Sequence, residues 1–563
     1  MTNDRGRILS RKRMADMRIR VALLLLASTI VILIGQIDRE LLPPDDLREV
    51  EVAREIYEGG DYIVPHLGGV PFVEKPPGFP AVVATAYRIT GKPSAAAARF
   101  TAAAFALASL TAVFLLGWRV LGVEGGGVAA AILSFSHRFC RTAHIVLLDN
   151  ALTAGVAIAV FFTWIALEAN QVRKKRLAYT AAGFSLGVSF LFKGFVGPAI
   201  FGSGLALYLI LSRRFAELRH ILGPFPVIAF LVPVLSWVLP FFLQAPPSLL
   251  WEFFIANHVG RFHVAYLSHH RPFYYYLLNI WPAFAPGSLL LPWAVWMSWK
   301  TRNDWENRAG VFFLAFFIGP LVLLSTSSAK DSLYFLPVYP VLAMLVAWSI
   351  AKGWMLSGRS AQILTWIFAA VAILIVGSMV GVTGIRGAPA LSVVTASVVF
   401  VLSVAGCILS IRGNDLRWTA ACIAVLFALG WSLWFTGPMK EAEVAKRSIH
   451  PAMADVLRLV GDREIIIYQP HDGFPLDGPQ GELSFYRNRT AQKVRTLEAL
   501  IKRLVENPDK TVALFYLINK EALQLEVNKI AQTARGDVRI EAQIPFARGY
   551  LFFVSVGLRK GVE

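Results

Sequence analysis

What most constrains this chain is a series of apolar runs, each about as long as a helix needs to cross the roughly 30 Å hydrocarbon core of a bilayer. They fall near residues 21–37, 95–118, 127–147, 151–167, 221–241, 275–299, 310–326, 333–350, 361–384, 390–411 and 417–436, and the stretch 177–211 has the length of two short spans. Inside lipid every backbone N–H and C=O must be satisfied within the protein, so such runs fold as helices. Composition agrees, because 56% hydrophobic and 16% charged residues leave a 563-residue chain too little polar surface to face water.

Flanking charge orients the spans. Arg11, Lys12, Arg13, Arg18 and Arg20 precede Val21 and no small-residue cleavage site follows, which predicts a retained first span with residues 1–20 in the cytoplasm. Arg173-Lys174-Lys175-Arg176 and Arg213-Arg214 bracket 177–211. Two basic flanks on one side require an even number of crossings, so Lys193-Gly194 is expected at the outer surface. With the loops at Lys300/Arg302, Lys352/Arg359 and Arg412/Arg417 inside, about thirteen crossings result and the C-terminus lies outside. The outer segments are then 38–94, a turn at 148–150, Lys193-Gly194, 242–274, a turn at 327–332 and the tail after Pro438.

The expected architecture is a polytopic α-helical membrane domain, 21–437, with an outer loop 38–94 and a small α/β domain, 438–563. In the tail, Ile465 to Tyr468, Val512 to Ile518 and Leu551 to Val556 read as buried strands, and Pro451 to Val460 and Leu497 to Val505 as helices. No phosphate-binding glycine loop occurs there, so the tail is assigned no chemistry. The net charge of +18 belongs to cytoplasmic loops, and neither its layout nor any motif supports nucleic acid. Cys140, Cys407 and Cys422 stand singly in or beside apolar stretches and fit neither a metal site nor a disulfide framework.

The outer loop carries the densest local signal. In Pro43-Pro44-Asp45-Asp46-Leu47-Arg48-Glu49, Asp46 suits an N-cap with Glu49 three residues on, which leaves Asp45 free. The alternative is that both aspartates cap the helix and Arg48, Glu51, Arg54 and Glu55 form its wet face. Farther on, Glu74-Lys75-Pro76-Pro77-Gly78 holds Lys75 extended beside an acid, because a residue before proline avoids the helical region.

Taken in order, several segments resemble a family. Pro44-Asp45-Asp46 through Arg48, Glu51, Arg54 and Glu55, Gly60-Asp61-Tyr62-Ile63-Val64-Pro65-His66-Leu67 and Glu74-Lys75-Pro76-Pro77 are similar to the first periplasmic loop of the bacterial lipid A aminoarabinose transferases. These belong with the protein O-mannosyltransferases among the GT-C membrane glycosyltransferases. Further matches are Leu147-Leu148-Asp149-Asn150-Ala151-Leu152-Thr153, Phe192-Lys193-Gly194, Asn257-His258-Val259-Gly260-Arg261-Phe262, Arg271-Pro272-Phe273-Tyr274-Tyr275-Tyr276 and Lys330-Asp331-Ser332-Leu333-Tyr334-Phe335-Leu336-Pro337. The resemblance runs from about residue 20 to 440. It departs from the family pattern at Asp46, where Glu is expected, at Leu47 and at Asn150, all on the side that would face the acceptor.

The resemblance implies transfer of one sugar from a polyprenyl (undecaprenyl) phosphate donor to a glycolipid such as lipid A, or to a protein, at the periplasmic face of a bacterial inner membrane. A lipid phosphate leaves the anomeric carbon while an acceptor oxygen attacks, so the site needs cations for the phosphate and carboxylates near the carbon or the acceptor. Asp45 is the candidate catalytic carboxylate, with Asp149 as a second acid that could equally cap its own helix. Arg48, Lys75, Lys193, Arg261, Lys330 and Tyr334 are candidates for the donor phosphate; any single lysine near a span end also suits lipid headgroups. Glu74 and His258 match positions the resemblance would offer to a divalent ion, although two ligands from distant segments do not define a metal site. Trp237, Phe241, Phe273, Tyr274, Tyr275 and Trp281 are candidates to line a groove for the polyprenyl tail. A transporter shares the composition but predicts ionisable groups at mid-membrane. Only His137, Arg138, Arg141 and His144, in the expected third span, fit that picture.

Overall fold

The computed structural model describes residues 2–34, 36–37, 41, 45–260, 271–353, 401, 404–405, 456–468, 481, 483–485, 487–517, 528, 530, 536–546 and 549–558. The expected spans near 361–384, 390–411 and 417–436 lie, apart from three residues, outside the described ones. In chain order the helices are α1 Thr2–Leu33, α2 Asp45–Gly59, α3 Gly78–Thr90, α4 Ala95–Phe135, α5 His137–Ala143, α6 Leu148–Glu168, α7 Val172–Lys193, α8 Val196–Ser212, α9 Leu218–Ile221, α10 Pro224–Gln244, α11 Pro247–Trp251, α12 Tyr275–Ala283, α13 Leu291–Lys300, α14 Arg308–Thr326, α15 Tyr339–Gly353 and α16 Leu497–Glu506. The strands are β1 His66–Leu67, β2 Val70–Pro71, β3 Glu464–Tyr468, β4 Gln492–Val494, β5 Thr511–Leu517, β6 Gly536–Phe546 and β7 Gly549–Leu558. Two compact units emerge: Met1–Asp38 with Glu74–Phe79 and Arg99–Pro438, and Arg39–Val73 with Pro80–Ala98 and Met439–Glu563.

The first unit is helical. Helices α4, α6, α10, α14 and the continuous stretch Ser332–Lys352 are long and apolar enough to cross a membrane, and α8 is a shorter apolar helix. The 41 residues of α4 exceed one crossing, and the reason is Gly122, whose φ of 80° breaks the helix. A Cβ on Gly117 would lie 2.7 Å from the Gly126 Cα, whereas nine residues of straight helix separate two positions by about 13 Å. The chain therefore doubles back at Gly122, and two glycines let the two arms touch. The second arm stops at Phe135, so the expected third span near 127–147 is too long: His137, Arg138 and Arg141 lie on the separate seven-residue α5, and His144 is its C-cap. Its backbone is pinned by His137 N–H to the Ala285 carbonyl at 3.1 Å. The expected turn at 148–150 is likewise the first turn of α6.

Close helix packing in this unit also rests on glycine. In Gly183-Phe184-Ser185-Leu186-Gly187 of α7, the two glycines lie one turn apart on one face. A Cβ at either would collide with the backbone carbonyl of Pro226 or of Phe230, also one turn apart on α10. This is the small-residue arrangement by which helices approach in lipid, where packing rather than water drives association.

The second unit holds a five-stranded sheet in the order β4-β3-β5-β7-β6, with β4, β3 and β5 parallel and β7 antiparallel to both β5 and β6. Residues 465–468, 512–517 and 551–556 lie in β3, β5 and β7 as the apolar runs predict, because these strands are buried on both faces. Short β4 and bulged, polar β6 lack that signature. Residues 456–460 are helical and 451–455 lie outside the described residues. Helix α16 packs Leu500, Ile501 and Leu504 into the core and is capped by the Thr496 hydroxyl, which accepts from Ala499 N–H at 3.3 Å.

Candidate active site

In the first unit, α6 and α7 deliver an acid and a base to one point. Asp149 sits in the first turn of α6, yet the N-cap is Leu147 and no side chain caps the helix there. Its carboxylate accepts instead from the Lys193 ammonium at the last residue of α7. The two side chains are 4% and 9% exposed. Capping is therefore not what Asp149 does. Lys193 can reach it because Gly194 turns the chain immediately afterwards, with φ 62°. The Lys193 Nζ also lies 4.8 Å from the centre of the Tyr334 ring, a cation–π distance. Tyr334 is held in the 3₁₀ turn Ser332–Val338, whose start is capped by Asp331 Oδ1 accepting from Leu333 N–H at 2.7 Å.

Lys330, one turn before Tyr334, donates to the Ser327 carbonyl and, at 3.1 Å, to the Arg271 carbonyl. Burial lowers its pKa. Lys75 is 3.9 Å from Glu74. The segment bearing both runs beside the end of α7: a Cβ on Gly78 would collide with the Leu191 carbonyl, and Phe79, Phe105 and Phe192 form a chain of ring contacts at 6.3 and 5.2 Å. The first unit thus joins Asp149, Lys193 and Tyr334, and places the Glu74-Lys75 segment against the same helix end. Arg261 and the His258 side chain lie outside the described residues. Among the described residues no group of three or more His, Cys, Asp or Glu gathers, and Glu74 lies 3.9 Å from the Lys75 ammonium rather than beside a second carboxylate or imidazole of such a group.

Two aromatic expectations separate. Trp237 and Phe241 stack at 4.8 Å and pack edge-on against Phe253, which buries them in a cluster of their own. They do not line an open groove. Phe273, Tyr274 and Trp281 are exposed.

In the second unit, α2 begins at Asp45, which is not free: Arg48 Nη2 donates to its Oδ1 at 2.9 Å. The wet-face alternative also fails, because Asp46, Glu49, Glu51 and Arg54 are buried. Arg54 holds Glu51 through two bonds of 2.8 and 2.7 Å, reaches Glu58 at 2.5 Å and donates to the Thr490 hydroxyl at 2.8 Å. Glu55 accepts from Gly68 N–H at 2.6 Å and Gly69 N–H at 3.2 Å, the two left-handed residues of the β1–β2 turn. Helix α2 is thereby tied to residue 490 beside the sheet and to its own loop. The signal for this was legible but unread: a single Arg with acids at i−3, i+1 and i+4. Arg99 was also missed; it is 1% exposed and its guanidinium donates to the Gln36 and Ile37 carbonyls at 2.7 and 3.0 Å.

Breaking the Arg54 network has a calculable sign. Arg54→Met is expected to cost about 3 kcal/mol, the lower end for an opened buried pair, because Glu51 can take up a proton. A fall in the melting temperature of the full-length protein checks this, and Glu51→Leu/Arg54→Met should recover most of it. Burial pushes the Glu51 carboxyl up to about 8, against the pull of Arg54. A folded-state pKa above the ordinary 4.5 means its stabilisation is complete below that value and is lost as pH rises through about 8. Melting temperature should therefore fall across that window in the wild type and lose this component in Glu51→Gln.

Comparison with known proteins places these features. Residues 74–237 match the family described as dolichyl-phosphate-mannose-protein mannosyltransferase. The undecaprenyl phosphate-alpha-4-amino-4-deoxy-L-arabinose arabinosyl transferase of Edwardsiella ictaluri is 30% identical over 412 residues, 70% of this chain and 73% of that protein. This chain belongs to that arabinosyl transferase family. The family member of Pseudomonas aeruginosa PAO1 is 29% identical over 334 residues, 59% of each chain. ArnT from Cupriavidus metallidurans, solved bound to undecaprenyl phosphate, shares the fold with a TM-score of 0.74 at 20% identity, covering 95% of this chain and 97% of its own. The arabinosyl transferase family thus accounts for a polytopic helical membrane fold with a C-terminal sheet, and makes the protein a glycosyltransferase.

Proposed function

We propose that the protein moves an aminoarabinose-type sugar from undecaprenyl phosphate to lipid A at the periplasmic face of the inner membrane. The observation that carries this reading is the convergence of Asp149, Lys193 and Tyr334 at one helix end, with the Lys75 segment packed beside it. In the reaction the bond between the anomeric carbon and the donor phosphate oxygen breaks, and an acceptor oxygen bonds to that carbon. Lys75 and Lys193, with Arg48, Arg261 and Lys330, supply positive charge to the departing phosphate, whose charge grows as the bond lengthens. Asp149 holds Lys193 in place between donor phosphate and Tyr334. Asp45 is the proposed catalytic carboxylate, acting on the reacting carbon or on the acceptor. A lipid A phosphate is already ionised and needs no base, so for that acceptor Asp45 stabilises the oxocarbenium-like carbon.

The same reading sets the orientation: about thirteen crossings, residues 1–20 cytoplasmic and 438–563 periplasmic, with the membrane domain between them. The match of residues 74–237 to a protein mannosyltransferase family favours one second reading, transfer to a Ser or Thr hydroxyl, for which Asp45 must accept the proton. The deciding experiment gives purified full-length protein an undecaprenyl phosphate aminoarabinose donor with lipid A or a Ser/Thr peptide and follows acceptor mass. Modified lipid A is the expected product. A modified peptide with unmodified lipid A would move the assignment to the second reading, and inertness with both acceptors would overturn the donor assignment.

A further inference from the structure

A cavity of about 210 Å³ lies among α6, α7, α8, α9 and α10, away from Asp149 and Lys193. Its walls are almost wholly apolar, formed by residues such as Ala182, Leu186, Phe201, Leu205 and Phe230. Two of its lining residues, Leu222 and Val227, are 68% and 37% exposed, so it opens on the outside of the bundle rather than into its core. Thr163 and Tyr179 are the two lining residues that carry a hydroxyl. Thr163 lines the cavity, is 1% exposed, and its hydroxyl has no hydrogen-bond partner among the described residues.

The mouth is basic. Arg173, Lys174 and Arg176 at the start of α7 and Arg213 and Arg219 between α8 and α10 are exposed, and Arg176 sits 5.0 Å over the Phe225 ring, next to the lining residue Pro226. Glu217 is occupied by Lys175 at 2.8 Å and Tyr179 at 3.0 Å, so it does not neutralise this rim. From Arg176 to Leu186 along α7 is about 15 Å of helix, half the hydrocarbon core and hence the depth of one leaflet.

The geometry points to a site for one anionic glycerophospholipid of the leaflet at this basic end. An acyl chain fills the cavity between α7 and α10, and the headgroup phosphate meets Arg176 with Arg213 or Arg219. The Gly183 and Gly187 contacts with α10 make one wall of the cavity, so the lipid would hold the α7–α10 pair whose far end carries Lys193.

Native mass spectrometry of the purified full-length protein tests this, with phosphatidylglycerol and phosphatidylcholine of identical chains as probes. The wild type is expected to retain one phosphatidylglycerol roughly tenfold more tightly than phosphatidylcholine, as one or two Arg–headgroup contacts allow. Ala182→Phe should lose the bound lipid, and Arg176→Glu, at an exposed position that leaves packing intact, should lose the preference while still binding lipid. Equal retention of the two lipids by the wild type overturns the proposal, as does unchanged retention in Ala182→Phe. Displacement by a polyprenyl phosphate without phosphate-headgroup selectivity would assign the cavity to the donor's tail and overturn it too. None of these readouts needs sugar transfer, so they stand or fall separately from the proposed reaction.

Discussion

Asp45→Asn is expected to lower sugar transfer by about 10²–10⁴-fold, the range a positioned carboxylate supplies when it acts on the proton or the charge of a transition state. Asparagine keeps the shape and can still meet Arg48, which now donates to Asp45 at 2.9 Å, so the fold should survive and the melting temperature should hold. Activity measured with saturating donor and acceptor is the check. A pH profile adds the role: loss of an acidic limb identifies a base, whereas a uniform drop at every pH identifies charge stabilisation. Retention of wild-type turnover by a well-folded Asp45→Asn protein would remove Asp45 from the reaction.

The second large effect concerns Lys193. Lys193→Met should cost about 10²–10³ in turnover, as does removal of one fixed donor from a developing anion. The variant also leaves Asp149 buried without its ammonium, so destabilisation alone could imitate the loss. The double variant Asp149→Asn/Lys193→Met separates the two: it takes both charges out of the buried site and should regain thermal stability while transfer stays low. Recovery of transfer along with stability would make the pair structural.

Both sites show what a linear reading could reach. Several of the expected spans, among them those near 151–167, 221–241, 310–326 and 333–350, together with the outer helix and its acidic start, three strands and α16, are local, and their signals are hydrophobic period and cap residues, whereas the expected span at 275–299 is broken between Ala283 and Leu291. Asp149 and Lys193 were both legible as unusual polar residues at span ends. Their union was not, since 44 positions separate them and no local period relates them. The wet-face alternative for Arg54 fails for a related reason. On the helix surface its spacing to Glu51 and Glu58 looks like a solvated charge ladder, whereas in the fold the Glu51–Arg54 pair is buried and Arg54 also donates to the Thr490 hydroxyl.

By itself the sequence determined that this protein lives in a membrane, because water cannot satisfy so many apolar residues and lipid cannot satisfy open backbone. Its ordered motifs also fixed the family, since several short patterns in one order are far more specific than any alone. The tertiary structure alone decided where α4 reverses, which acid faces which base, and that α2 is buried on its charged side. These depend on contacts that the order of residues does not announce: the two arms of α4 touching at Gly117 and Gly126, a carboxylate reaching an ammonium across two helices, and the Arg54 guanidinium donating to Thr490, 436 positions away. Such contacts follow from three-dimensional packing, to which neighbouring residues in the chain carry no pattern.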